Sequence, residues 1–240
     1  MLFWLYINEK YYFCIYQLNW IKSMPEEKKN NVVVTIGRQF GSGGRELGKK
    51  LAERIGAKYY DKELLSEAAK RAGMSEEFFE RRDERFPSFI NGVFSFAFGY
   101  NSINCYSGST SISDDSIYRA QSDFIHSLAD EETCVIVGRT ADYILRDHPR
   151  VVNVFVHAPE SECVARIMRR CEPDVSTEEK AKAKAHKMNK LRASYYNFYS
   201  DKTWGDASSY DLTFDTSKLS MNGIVEVIVE YIRHRFGVEF

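Results

Sequence analysis

The sequence has no C-x-x-C cysteine pair, no long hydrophobic run and no excess of charge of either sign. Its cysteines number five, so we expect neither a disulfide framework nor a zinc site, and a reduced, cytoplasmic setting is favoured. A net charge of −1 over 240 residues argues against a globally basic nucleic-acid binder. With 44% hydrophobic and 28% charged residues, the composition is that of a soluble globular protein without a membrane partner.

The first 23 residues differ in composition from the rest of the chain. They are rich in aromatic residues, but Glu9 and Lys10 divide the apolar runs. Neither run approaches the roughly 20 residues that cross a bilayer, and signal-peptide features are missing. Two alternatives stay open: translation starts at Met24, or these residues form an extension that packs on the domain. We therefore expect an N-terminal extension over residues 1–30 and one domain over residues 31–240.

Short, β-branched apolar runs alternate with helical patterns after residue 30. Runs of this kind are typical of parallel strands buried on both faces. The predicted strands are Val32–Ile36, Cys134–Val137, Val151–Val156 and Leu212–Phe214. Strands that alternate with helices predict an α/β fold with right-handed crossovers.

Helix signals separate these runs. The predicted helical stripes are Leu47–Ile55 (stopped by Gly56), Leu64–Ala72 (stopped by Gly73), Ile117–Leu128, Val164–Cys171 and Ile224–Ile232. Ser176–Glu179 has the pattern of a capping box that opens a further, polar helix, and Ser220 is positioned to cap the last helix. Phe86–Thr110 has no clean period and is expected to be an insertion whose aromatic residues form a small satellite core.

Four glycines follow the first predicted strand, in Arg38-Gln-Phe-Gly-Ser-Gly-Gly-Arg-Glu46. A strand, a glycine-rich loop and a helix start form a site for phosphate, because loop N–H groups and the helix dipole converge there. The lysine and the Ser/Thr of G-x-x-x-x-G-K-[ST] are missing from this loop. The sequence therefore predicts a phosphate cradle whose cation is displaced, and a plain glycine-rich turn is the alternative.

The segments GRQFGSGGREL, YYDKELLSEAA, VIVGRTAD and VFVHAPESECVARIMRR occur in this order and together resemble the cytidylate kinase-like family of P-loop nucleoside monophosphate kinases. The resemblance runs from about Val32 to the C-terminal helix. It implies a P-loop NTPase three-layer sandwich with a parallel sheet. It also implies an acceptor-binding insertion over residues 74–113 and a helical lid over residues 172–202.

The resemblance also implies roles for individual residues. Those that would bind ATP and Mg²⁺ at the loop are Arg38, Gly41, Ser42, Gly43, Gly44, Arg45 and Glu46. Those that would bind the acceptor are Asp61, Arg139 and Asp142, with Asp61 also a candidate helix N-cap. Those that would stabilise the transferred phosphoryl group are Arg45, Arg166, Arg170 and Arg192.

This chain departs from the family pattern at several of these positions. Gly44 stands where the loop lysine belongs, so Arg38 or Arg45 would supply the cation. The candidates for holding Mg²⁺ are Ser42 and Glu46, and neither occupies the usual Ser/Thr position. Thr140 replaces the aspartate of Gly-Arg-Asp, with Asp142 as its substitute, and Asn189 replaces an aspartate before Arg192. We expect ATP-dependent phosphoryl transfer to a nucleoside monophosphate such as CMP. The alternatives are a nucleotide sensor without turnover and a kinase for another small acceptor.

Overall fold

The computed structural model describes residues 31–61, 114–170 and 175–240. Its strands are β1 (Val33–Arg38), β2 (Lys58–Tyr60), β3 (Cys134–Val137), β4 (Val151–His157) and β5 (Leu212–Asp215). They form one sheet in the order β2-β3-β1-β4-β5, and every neighbouring pair is parallel. The carboxyl ends of all five strands therefore meet at one edge of the sheet, where open α/β folds bind their ligands.

Helices connect these strands. They are α1 (Gly44–Ile55), α2 (Asp114–Glu131), α3 (Ala141–Ile144), α4 (Glu160–Arg169), α5 (Glu178–Ser200) and α6 (Met221–Phe236), with a 3₁₀ turn at Ala207–Ser209. Gly56 ends α1 in the left-handed conformation, and the Ser220 hydroxyl accepts a hydrogen bond from the Gly223 N–H at the start of α6. Both helix boundaries agree with the sequence signals.

The apolar side chains of the sheet divide between its two faces. Val34 and Ile36 of β1 pack with Leu51 of α1 and Ile228 of α6, whereas Val33 packs on the other face with residues of α2 and α3. This alternation follows the period of two along a strand. The result is a three-layer α/β sandwich, which confirms the fold class expected from the sequence.

Two local expectations need correction. Lys58–Tyr60 was not predicted as a strand, because three residues give no readable period and this strand pairs with β3 alone. The N-cap of α5 is Thr177 rather than Ser176, since the Thr177 hydroxyl accepts the Lys180 N–H. The expectations for residues 1–30, 64–73 and 86–110 lie outside the described residues.

The cysteines of the described core behave as small hydrophobic residues. Cys134 and Cys163 are both free and buried, and burial raises the pKa of the Cys134 thiol to about 12. In the described part of the chain, no helix combines the length and apolar character needed to span a membrane.

Candidate functional site

The loop between β1 and α1 is shaped by glycines in the left-handed conformation. Gly41 has φ 84° and Gly43 has φ 91°, a region that other residues adopt only with strain. A Cβ on Gly41 would lie 2.7 Å from the Cys163 carbonyl oxygen, so space also requires glycine there. α1 begins directly at Gly44, and its first N–H groups have no intrahelical acceptor.

Three carbonyl groups of this loop are held by hydrogen bonds from side chains. The Arg38 carbonyl accepts from Arg192 Nη1 at 2.8 Å, and the Gln39 carbonyl accepts from the Ser42 hydroxyl at 2.8 Å. The Ser42 carbonyl accepts from Thr216 Oγ1 at 2.7 Å and from Arg166 Nη1 at 3.1 Å. With these carbonyls engaged, the loop can turn N–H groups toward an anion, which is the requirement of a phosphate cradle.

Arg166 of α4 is one of the residues that hold the loop by hydrogen bonds. Besides the Ser42 carbonyl, it donates to the hydroxyl of Thr216 at 2.8 Å and to the Thr216 carbonyl at 2.9 Å. Through these contacts Arg166 holds the loop, and its expected role toward the transferred phosphoryl group stays a prediction. Arg170, which caps the end of α4, is exposed and makes no described contact with the loop.

Four arginines from separate elements converge at the carboxyl edge of the sheet, around Asp61. Arg45 of α1 places Nε 2.5 Å from Asp61 Oδ2, and Arg38 of β1 places Nη2 3.5 Å from Asp61 Oδ1. Asp61 is only 4% exposed. The contacts show Asp61 as the counter-ion of the cluster; the helix for which it was a candidate N-cap lies outside the described residues.

Arg139 follows β3 in a strained turn. Gly138, Arg139 and Thr140 all have positive φ, at 78°, 65° and 52°. Left-handed conformations cost a non-glycine residue about 1–3 kcal/mol and cluster at functional sites. Gln121 of α2 holds the turn by donating to the Arg139 carbonyl at 3.1 Å, so the direction of the Arg139 side chain is set by the fold.

α5 brings the fourth arginine and also contacts the loop backbone. Arg192 lies over the ring of Phe40, with its guanidinium carbon 5.5 Å from the ring centroid. Three residues earlier, the Asn189 side-chain oxygen accepts the Phe40 N–H at 2.7 Å. The replacement of an aspartate by Asn189 therefore preserves an acceptor for the loop while it omits a negative charge.

The electrostatics of the cluster favour an anion. Arg38, Arg45, Arg139 and Arg192 surround the carboxylate of Asp61, so positive groups outnumber negative ones among the described residues of the cluster. Burial lowers the pKa of Arg139 to about 10, and it lowers the pKa of Arg192, with positive neighbours adding to the effect. Burial disfavours the charged form of these guanidinium groups, and a bound anion would favour it.

Two further sequence candidates are placed elsewhere. Asp142 accepts a hydrogen bond from the Tyr196 hydroxyl at 2.7 Å, which links α3 to α5, and burial raises its pKa. The Thr140 hydroxyl donates to the Arg139 carbonyl at 2.6 Å. No described contact brings Asp142 to the arginine cluster, so its assignment as an acceptor-binding residue gains no support. Glu46 lies exposed in the first turn of α1.

Sequence reasoning missed two residues that organise the site. Thr216 follows β5 directly, so its place at the carboxyl edge of the sheet was readable from the strand pattern. Gln121 lies within a helix and carries no sequence signal that distinguishes it. Its role depends on the packing of α2 beside the turn at Arg139.

Comparison with known proteins agrees with this geometry. The family model described as "Cytidylate kinase-like family" matches residues 33–218. A cytidylate kinase from Pyrococcus horikoshii is 28% identical over 212 residues, covering 88% of this chain and 92% of the relative. One from Methanosarcina barkeri is 26% identical and covers 86% and 99%.

A solved structure resembles the chain over a similar extent. It is an uncharacterized protein from Eubacterium ventriosum, with 31% identity and a TM-score of 0.62, covering 84% of this chain and 98% of that one. The relatives support a kinase that acts on nucleotides or other small molecules. Since the family model spans more than half of the sequence, the chain belongs to the cytidylate kinase-like family.

Proposed function

We propose that this protein transfers the γ-phosphoryl group of ATP to a nucleoside monophosphate, with CMP or dCMP as the first choice of acceptor. The observation that carries the proposal is the cluster of four arginines around Asp61, directly beside the glycine loop. Phosphoryl transfer spreads negative charge over several oxygens, so positioning and positive charge supply most of its catalysis. CMP comes first because the curated relatives are cytidylate kinases.

The charge balance of the site favours a phosphate acceptor over a hydroxyl acceptor. A phosphate monoester is largely ionised near neutral pH, because its second pKa is about 6, and its oxygen attacks without a general base. A hydroxyl acceptor would have to lose a proton to the protein. Among the described residues of the cluster, Asp61 is the only carboxylate, and both its oxygens already contact arginines.

In the proposed reaction, an acceptor phosphate oxygen forms a bond to the γ-phosphorus of ATP. The bond from that phosphorus to the β–γ bridging oxygen breaks, and ADP leaves with the electron pair. The loop N–H groups hold the phosphates of ATP, and Arg139 binds the acceptor phosphate beside Asp61. Arg192, with Arg38 or Arg45, neutralises the charge that develops, and Arg170 stays a candidate for the same role.

The residues present fit a Mg²⁺ ion that arrives with the nucleotide. The described residues contain no cluster of three potential metal ligands, and Mg²⁺ in such sites is held mainly by substrate phosphates, water and one or two carboxylates. Glu46 in the first turn of α1 or the Ser42 hydroxyl would supply the protein contact. When bound, the ion would supply positive charge that offsets the negative charge of the phosphates.

Turnover with a panel of acceptors tests the proposal. ATP and Mg²⁺ are supplied with CMP, dCMP, UMP, AMP and GMP, and in parallel with hydroxyl acceptors such as sugars and shikimate. We expect turnover with the monophosphates, fastest with a cytidine nucleotide. Turnover restricted to hydroxyl acceptors would establish the different-acceptor alternative. ATP binding without turnover of any acceptor would favour the sensor, which the missing loop lysine suggests.

A further inference from the structure

The loop of this protein carries two departures from G-x-x-x-x-G-K, and they are reciprocal. The first position of the motif, normally glycine, is Arg38, and the seventh position, normally lysine, is Gly44. The small residue and the cation have therefore changed places. In the sequence these two positions are six residues apart, and nothing shows whether they are related.

In the structure the two positions touch. A Cβ built on Gly44 would lie 2.7 Å from Arg38 Cβ, 2.9 Å from Arg38 Cγ and 3.1 Å from Val156 Cγ2. These atoms lie close to their own backbones, so they cannot move aside as the end of a flexible side chain would. Gly44 is also in an ordinary backbone conformation, without positive φ. Position 44 is glycine because the Arg38 side chain occupies the space beside it.

A second glycine makes room for the other end of the same side chain. A Cβ on Gly138 would lie only 1.7 Å from Arg38 Nη1. The Arg38 side chain thus runs from the end of β1, past Gly44, to the turn that carries Arg139. Its guanidinium lies between the phosphate loop and the carboxyl ends of β2 and β3.

The Arg38 guanidinium is poorly neutralised where it lies. Its side chain is 15% exposed, and its contact with Asp61 is long, at 3.5 Å, whereas Arg45 makes the short contact with the same carboxylate. Arg38 Nε is buried and has no hydrogen-bond partner among the described residues. A buried cation with unused donors, next to a phosphate loop, is suited to bind phosphate oxygens.

We propose that Arg38 and Gly44 are an exchanged pair, in which the Arg38 guanidinium does the work of the missing loop lysine on the terminal phosphate of ATP. Arg45, 54% exposed and bound to Asp61, instead acts through that carboxylate as a positioning residue. This inference rests on the proposed phosphoryl transfer and selects between the two cations that the sequence left open.

Reversing the exchange tests the proposal. Arg38→Met should lower kcat by about 100-fold or more, the scale for loss of a transition-state contact. Gly44→Lys alone should be equally impaired and should melt at a lower temperature, because Arg38 blocks its side chain. Arg38→Gly with Gly44→Lys restores the usual positions of glycine and lysine, and it should recover at least about tenfold over Arg38→Gly alone. Arg54→Met, at the far end of α1, is the matched control and should keep its kcat.

Several outcomes would overturn the inference. An unchanged kcat in Arg38→Met would be sufficient by itself to refute it. Gly44→Lys with normal kcat and melting temperature would show that position 44 is not blocked. A folded double variant no better than Arg38→Gly would show that the two positions are not equivalent.

A binding measurement separates this inference from the proposed function. Calorimetry should show that Arg38→Met lowers the affinity for a non-hydrolysable ATP analogue by about tenfold or more, as expected for a lost charge-assisted hydrogen bond. The affinity for ADP should fall much less. The wild type could turn over no acceptor while Arg38→Met still lowers the affinity for the ATP analogue much more than that for ADP. The proposed transfer reaction would then be wrong, and the role of Arg38 at the terminal phosphate would stand. Equal effects on both nucleotides would refute the contact with the terminal phosphate.

Discussion

At the scale of single residues, backbone conformation decides where the charges of this site point. Arg139 and Thr140 both have positive φ, and the Arg139 carbonyl accepts hydrogen bonds from Gln121 and from the Thr140 hydroxyl. Two hydrogen bonds thus hold a conformation that is costly for residues with a Cβ. As a result, the Arg139 guanidinium lies at the carboxyl edge of the sheet, where burial lowers its pKa to about 10.

We predict that Arg139→Met raises the KM for the monophosphate acceptor by about 10- to 100-fold, as expected for the loss of charge-assisted hydrogen bonds. Methionine keeps the Cβ and an unbranched side chain without the charge, so the strain of the turn should change little. The KM for ATP should change little, because the loop binds ATP. Steady-state kinetics with each substrate varied in turn measures both. A similar rise in both KM values would contradict the separate role of Arg139.

At the scale of elements, residues that follow β4 and β5, two neighbouring strands of the sheet, hold the loop by hydrogen bonds. α4 follows β4 and supplies Arg166, and the residue after β5 is Thr216; both donate to the Ser42 carbonyl. Because Thr216 also accepts from Arg166, the three groups form a closed network. The loop conformation therefore depends on the docking of β4 and β5 as well as on its own glycines.

We predict that Thr216→Val lowers the free energy of unfolding by about 1–2 kcal/mol, since it removes a buried hydrogen bond without changing the size of the side chain much. The loop should then lose order, and ATP affinity should fall. Thr216→Ser keeps the hydroxyl and should restore most of both properties. Chemical denaturation and calorimetry provide the two readouts. Equal behaviour of the valine and serine variants would show that the hydroxyl is not what holds the loop.

At the scale of the whole molecule, the candidate site is assembled from most of the described elements. Charged groups come from the ends of β1, β2 and β3 and from α1 and α5. A ligand at this edge would therefore bind only when the sheet and α5 are docked. Ligand binding that requires the native state stabilises that state by mass action.

We predict that ATP with Mg²⁺ at about 100 times its Kd raises the free energy of unfolding by about 2.7 kcal/mol, and Tm by roughly 5–10 °C. Gly43→Val should abolish this shift, because Gly43 has φ 91°, a conformation that a β-branched residue adopts only with strain. Differential scanning fluorimetry measures the effect. If a folded Gly43→Val variant keeps the normal rise in Tm with ATP, the nucleotide does not bind at this loop.

The sequence by itself determined the parts of this protein whose signals are local. Four of the five strands, the glycine loop, the end of α1 and the start of α6 could be predicted, because period, glycine and cap residues act within a few positions along the chain. The family resemblance selected Arg38, Arg45, Asp61, Arg139 and Arg192 as site residues. The division into residues 1–30 and 31–240, the insertion at 74–113 and the lid at 172–202 stay predictions.

Only the tertiary structure decided which of these residues meet. Asp61 contacts two arginines, and Arg166 supports the loop, because parallel crossovers bring distant strand ends to one edge of the sheet. The contact between the Arg38 side chain and Gly44, on the side where a Cβ would lie, likewise depends on tertiary packing. A sequence shows that a cation and a glycine have changed places, but only packing shows that one fills the space the other leaves.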